Sequence, residues 1–408
     1  MAGFVSPIRI IAIICTAQVF AQVGAFAVPA LLPTFISRWA LSGTEAGWII
    51  GAFYLSYTLT VPVLVSLTDR TDPKRIYLGA VLLTAIAALG FATLADGFWS
   101  AFVFRLIAGV GWAGTYMPGL KAMSDFVEGP QQSRGVACHA ASVGISGAIS
   151  FIVASTIASW FNWQWGIGFG GACALVAFLI IAFLLPSREP HKPSDKQSKL
   201  LDFRPVLRNR SALAYSLGYC FHTWEMNAFR AWVVTFLTFA LATSSGTPQL
   251  APAAIATVLS LAGVWASVSG NEFARRIGRR RFIICVMLAS MLVAGVIGFS
   301  SSVSYELAAG LCIVYGILIW ADSSSLTAGA VGSAVPGQRG ATMAMHSTLG
   351  YAGGFVGPLV MGAILDLSGG ESAVAWGIAF AHITLVMALG LLAMIVLRPK
   401  DLAGDRND

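Results

Sequence analysis

Twelve stretches of this chain are long and apolar enough to cross a lipid bilayer, and nothing else in the sequence restricts the fold as tightly. They cover 8–32, 44–67, 76–95, 99–120, 135–158, 164–185, 211–240, 253–274, 282–301, 305–331, 341–365 and 373–397. About 20 helical residues at 1.5 Å each span a hydrocarbon core of ~30 Å. Each stretch is continuously apolar, whereas the strands of a membrane barrel alternate every second residue over about ten residues. Composition points the same way: 57% of the residues are hydrophobic and 11% charged, against about 25% charged in a chain that must face water. An all-α integral membrane protein of twelve transmembrane helices is therefore expected. The stretch from Ile8 is too long for a signal peptide and contains Pro29 and Pro33, so it is read as a retained first span.

Charge sets the orientation. Every Lys and Arg except Arg38, Arg105 and Arg230 falls in the N-terminal segment, the even-numbered loops or the final tail. By the positive-inside rule both termini are then cytoplasmic, in a multi-pass protein of a cell inner membrane. The net charge of +7 follows from this distribution and implies no nucleic-acid partner. The six cysteines lie within the spans without a Cys-x-x-Cys pair, so neither disulfides nor structural zinc are expected.

The longest polar segment divides the spans six and six. The expected domains are an N-terminal bundle (1–185), a cytoplasmic linker (186–210) with a short amphipathic stretch near Leu200 to Leu207, a C-terminal bundle (211–397) and a cytoplasmic tail (398–408). The halves echo each other at an offset near 205: the basic loop from Asp69 to Arg75 matches that from Arg275 to Arg281, and Ser133-Arg134-Gly135 matches Gln338-Arg339-Gly340. Repeats of this kind belong to carriers that work by alternating access.

Three motifs sharpen the reading. Asp69, Arg70 and Lys74 stand between spans 2 and 3. Arg276, Gly278, Arg279 and Arg280 stand between spans 8 and 9, with Arg275 where an acid would fall. Span 4 reads Arg105-Leu106-Ile107-Ala108-Gly109-Val110-Gly111-Trp112-Ala113-Gly114. Together they resemble the signatures of the major facilitator superfamily: Gly-x-x-x-Asp-Arg-x-Gly-Arg-Arg in both loops, and Arg-x-x-x-Gly-x-Gly-x-x-Gly in span 4. The first loop copy departs at Val65, Asp72 and Pro73. The resemblance covers essentially the whole chain. It implies two six-helix bundles related by pseudo-twofold symmetry around a central cavity lined by spans 1, 4, 7 and 10, a cytoplasmic latch at Asp69 and Arg70, no cofactor, and a monomer. The span 5 signature of drug/proton antiporters is missing, since Gly144 to Ile149 lack its proline; this makes efflux the less expected direction. A similar string, Gly353 to Pro358, lies in span 11 and reads as close packing.

An ionisable side chain at mid-bilayer costs ~2.5–3.5 kcal/mol or more, so each is a functional candidate. His222, Glu225, Met226, Phe229 and Arg230 fall on an arc of about 140° on span 7. With Arg105 in span 4 and Asp322 in span 10, the resemblance brings all four charged residues to the cavity. Arg105 and Arg230 are then anchors for a carboxylate or similar anion, and Glu225 or Asp322 the proton-coupling carboxylate. The plain alternative is a pair of static bridges, Arg105–Glu225 or Arg230–Asp322. Further substrate-binding candidates are His222, Trp112, Tyr116, Trp224 and Trp320, whose rings could stack a flat solute, with Gln18 and Gln22 as neutral partners one turn apart. Each aromatic could equally be ordinary packing. His139 and His346 follow the repeated Arg-Gly and read as gate positions or as plain helix-end histidines, while His382 reads as peripheral. His222 and Met226 could share a soft metal such as Cu(I), but the methionine pair of span 9, Met287 and Met291, lies off the cavity, so no metal is expected.

The sequence thus points to a proton-coupled carrier taking up a small organic solute, anionic or vitamin-like. Copper import, efflux and a non-transporting receptor on the same fold are the rivals. Enzymatic activity is not expected, because no nucleophile–base pair, phosphate loop or cofactor motif is present.

Overall fold

The computed structural model describes residues 6–68, 70–188, 204–244, 248–335, 338–370, 372–402 and 405. Helices account for all regular structure among the described residues, and no strand occurs among them. Among the described residues, eleven helices are long and apolar enough to cross a membrane. The remaining span, the fourth, is built from two pieces, Phe98–Ala113 and Tyr116–Ser124.

Polar residues at the span edges start the helices. Asn162 accepts the Trp165 N–H at 3.1 Å, Asn209 accepts those of Ser211 and Ala212 at 3.1 Å each, and Ser304 and Ser372 accept those of Leu307 and Ala375, also at 3.1 Å. Each satisfies backbone donors that the first turn leaves open. Spans 9 and 10 are separated as the sequence suggested: Arg279–Ile297 tightens into a 3-10 turn over Gly298–Ser302, and the next helix begins at Tyr305.

Three spans are interrupted among the described residues. The first runs Pro7–Gln22, Ala27–Ala30 and Leu32–Trp39. The fourth breaks at Gly114 and Thr115, and the tenth breaks at Asp322 into Tyr305–Ala321 and Ser323–Gly332. The last two breaks sit at equivalent places in the two repeats.

The chain forms two compact units. One comprises residues 1–31 with 55–195, the other residues 32–54 with 196–408. In the first, Ile10, Ile14, Tyr77, Val81, Met123 and Ile181 form a buried core, and Gly24 faces Gly170 so closely that a Cβ on either would strike the other's backbone. In the second, Trp232, Phe236, Tyr315, Trp376 and Phe380 interlock as an aromatic cluster. Within that unit Asp366, at the end of span 11, accepts the Gly43 N–H at 2.6 Å, the Thr44 N–H at 2.8 Å and the Thr44 hydroxyl at 2.6 Å, capping the start of span 2.

Candidate functional site

Span 7 is one continuous helix, Arg210–Thr243, with an apolar body that carries His222 and Glu225. Three residues apart on this helix, the two project into the interior of the second unit, and both are essentially without exposure. Glu225 Oε1 accepts from Ser290 Oγ at 2.5 Å and from Tyr315 Oη at 2.8 Å. Phe229, one turn on, sets its ring edgewise to Tyr315 at 4.8 Å. Spans 9 and 10 thus hold the carboxylate in a small polar cage walled by aromatics.

His222 faces Asp322, the residue at the break in span 10. Nδ1 lies 3.0 Å from Oδ1. The separation is that of an ion pair, yet neither atom is aligned for a hydrogen bond, and His222 Nε2 has no hydrogen-bond partner either. Tyr219 stacks between two histidines: its ring lies 4.0 Å from that of His346 and 5.7 Å from that of His222. His346 Nε2 reaches Thr327 Oγ1 at 3.3 Å. The second unit therefore gathers His222, Glu225, Asp322 and His346 from spans 7, 10 and 11.

Arg230 takes a different course. Its guanidinium lies 4.9 Å from the Trp320 ring centroid, with Tyr54 hydrogen-bonded to it and Tyr351 within electrostatic reach. The arc read from the sequence is thus divided, with His222, Glu225 and Phe229 packed inside the second unit and Arg230 set among the rings of Trp320, Tyr54 and Tyr351. Trp224 donates its indole N–H to His382 Nε2 at 3.3 Å, which ties span 7 to span 12. Met226 is half-buried. Among the described residues, no group of three or more His, Cys, Asp or Glu side chains is placed to hold a metal ion.

The other candidates lie in the first unit. Arg105 is buried in span 4. Trp112 sits edgewise to Phe26 and Tyr57, at 6.1 and 6.0 Å. Tyr116 stacks on His139 at 5.5 Å, and its carbonyl meets His139 Nε2 at 3.0 Å. Gln18 accepts from Tyr77 Oη at 3.0 Å, and the amide nitrogens of Gln18 and Gln22 are both buried without a hydrogen-bond partner. Asp69 lies outside the described residues, and Arg70 is exposed. Asp72, in the same loop, accepts the N–H of Lys74 at 2.9 Å and of Arg188 at 3.3 Å.

Sequence reasoning did not single out Ser290, Tyr219, Thr327 or Tyr54. Tyr315 carried a usable signal, because it precedes Asp322 by seven residues and so shares its helix face. Ser290 carried none, being one small polar residue in an apolar span.

Residues 14–321 match the family model described as Major Facilitator Superfamily. The chain belongs to that superfamily. Protein spinster homolog 1 of Homo sapiens is 23% identical over 254 residues, covering 60% of this chain and 48% of that protein; the chain spans about half the length of this relative. Multidrug resistance protein 2 of Bacillus subtilis (strain 168) is 24% identical over 368 residues, 88% of each chain. The crystal structure of a mutant of the nucleoside transporter NupG superposes with a TM-score of 0.77 at 17% identity, covering 94% of this chain and 99% of the other. The superfamily fold expected from the loop and span 4 motifs is thus present, in a multi-pass membrane protein from a family of transporters.

Proposed function

We propose that this superfamily member is a secondary active carrier in which proton movement drives uptake of a small organic solute across the inner membrane. The observation that carries the reading is the His222–Asp322 pair, 3.0 Å apart and almost wholly buried, with Glu225 caged in the same unit. Ionisable groups in lipid-embedded helices are costly and tend to mark proton or ion pathways. The partner of the carboxylate in this pair is an imidazole, a side chain suited to relaying protons, rather than an arginine. Arg105 and Arg230 supply the cationic character for an anionic group on the solute, and Trp112, Tyr116, Trp224 and Trp320 the flat surfaces for a ring. Asp69, Arg70, His139 and His346 serve as gate residues on the cytoplasmic side. The NupG likeness makes nucleosides a first panel to test, followed by aromatic and vitamin-like acids.

Reconstituted proteoliposomes test this reading. An imposed inward proton gradient should accumulate labelled solute above its equilibrium level, and Asp322→Asn should reduce accumulation at least tenfold while sparing solute exchange. Accumulation that ignores the gradient would remove the coupling claim, and saturation at one solute per protein would indicate a receptor.

Efflux is the second reading, favoured by the full-length similarity to a protein named for multidrug resistance and disfavoured by the span 5 sequence. Deletion would then sensitise cells to drugs, whereas loss of an uptake carrier slows growth on a limiting nutrient.

A further inference from the structure

The described residues after span 12, 398–402 and 405, fold back onto the second unit. Arg398 adopts a left-handed conformation (φ 47°) that ends the helix, and Pro399 cannot continue it. The following residues then make a run of specific contacts, all within the second unit. The Lys400 N–H donates to Ser211 Oγ at 3.1 Å, and its carbonyl accepts from Tyr215 Oη at 3.0 Å. Asp401 Oδ1 accepts the Arg280 N–H at 3.1 Å. Asp405 forms a two-pronged bridge with Arg279, at 2.9 Å to Nε and 2.8 Å to Nη2, with both side chains buried. Planar, bidentate pairs of this kind are among the stronger hydrogen-bonded contacts.

Arg279 belongs to the second loop signature, the copy in which Arg275 stands at the acidic position. Its acidic partner comes instead from the tail. The remaining guanidinium nitrogen, Nη1, donates to Asn271 Oδ1 at 2.8 Å and to the Ser325 carbonyl at 3.2 Å. Ser325 lies in the second piece of span 10, Ser323–Gly332, whose far end at Gly332 packs against Leu402. The tail therefore meets the far end of this ten-residue helix directly, through Leu402, and reaches its near end, beside the break at Asp322, through Arg279.

We propose that residues 398–402 together with Asp405 are a detachable strap that pins the hinged half of span 10, so that its release frees this half-helix to move. The Asp405–Arg279 bridge is the clasp. A contact made in one arrangement and lost in another slows departure from the first by its own free energy, and a helix of ten residues has little stability of its own in isolation. The proposal concerns a carrier of this fold and does not depend on proton coupling or on the identity of the solute.

Hydrogen–deuterium exchange of the full chain in lipid nanodiscs tests it without a transport assay. Asp405→Asn should speed exchange across residues 323–332 about tenfold and leave span 6, residues 163–184, at the parent rate. Asp405→Glu should stay near the parent, and Leu402→Ala should give a smaller rise in the same segment. Unchanged exchange at 323–332 in both Asp405→Asn and Leu402→Ala would overturn the proposal. So would an equal rise in span 6, which would make the tail a general stabiliser.

Discussion

Glu225 shows how a single buried carboxylate is kept in a helix bundle. Its two donors, Ser290 and Tyr315, come from different spans, and an intramolecular hydrogen bond contributes about 0.5–1.5 kcal/mol net. Ser290→Ala should lower stability by about that amount, read as a reduced unfolding midpoint in detergent. Glu225→Gln keeps the shape of the side chain and removes the titratable proton, so pH-driven accumulation should vanish while exchange between the two faces persists. Unchanged accumulation would shift the coupling role to Asp322. The sequence showed that His222, Glu225 and Arg230 share a broad arc, but a helical wheel gives only direction around an axis. It does not say which neighbour stands at each edge. That is why Arg230, held by Trp320 and Tyr54, parts company with Glu225, and why the match of His222 with Asp322 was not legible.

At the level of elements, spans 7 and 11 meet along a seam where side chains are absent. A Cβ on Gly353 would strike the Cys220 carbonyl, and one on Gly357 the Trp224 carbonyl. Close helix approach of this kind depends on small residues in membranes, where lipid tails are as apolar as leucine and hydrophobic burial cannot draw the helices together. Gly353→Ala should force the helices apart and cost about 1–3 kcal/mol, visible as a lower thermal midpoint. Gly310→Ala, where nothing lies within 4 Å of the added carbon, is the matched control and should be tolerated. The Gly353 to Pro358 string was read as packing from its composition alone, because small residues four apart line one helix face. The interruption at Gly114 was not legible to the same reasoning, since Trp112, Ala113, Tyr116 and Met117 flank it, whereas Asp322-Ser323-Ser324-Ser325 carried a polar signal for the break in span 10 that the count of spans passed over.

At the level of the molecule, length and apolarity located the twelve crossings, with edges that moved by a few residues: 211–240 became Arg210–Thr243, and 341–365 became Arg339–Leu367. Charge bias predicts their orientation. In a cysteine-free background, a thiol at Ser42, in the first loop, should react with an impermeant reagent added to intact cells. A thiol at Arg188, after span 6, should react only once the membrane is opened. The reverse pattern would invert the topology. The interrupted fourth span has a bearing on how such a protein is made. Its pieces of 16 and 9 residues are each too short to bridge ~30 Å of hydrocarbon, so this crossing must enter the membrane as one unit or lean on its neighbours during synthesis. A nascent chain that left it behind would have an odd number of crossings, and everything after it would be threaded upside down.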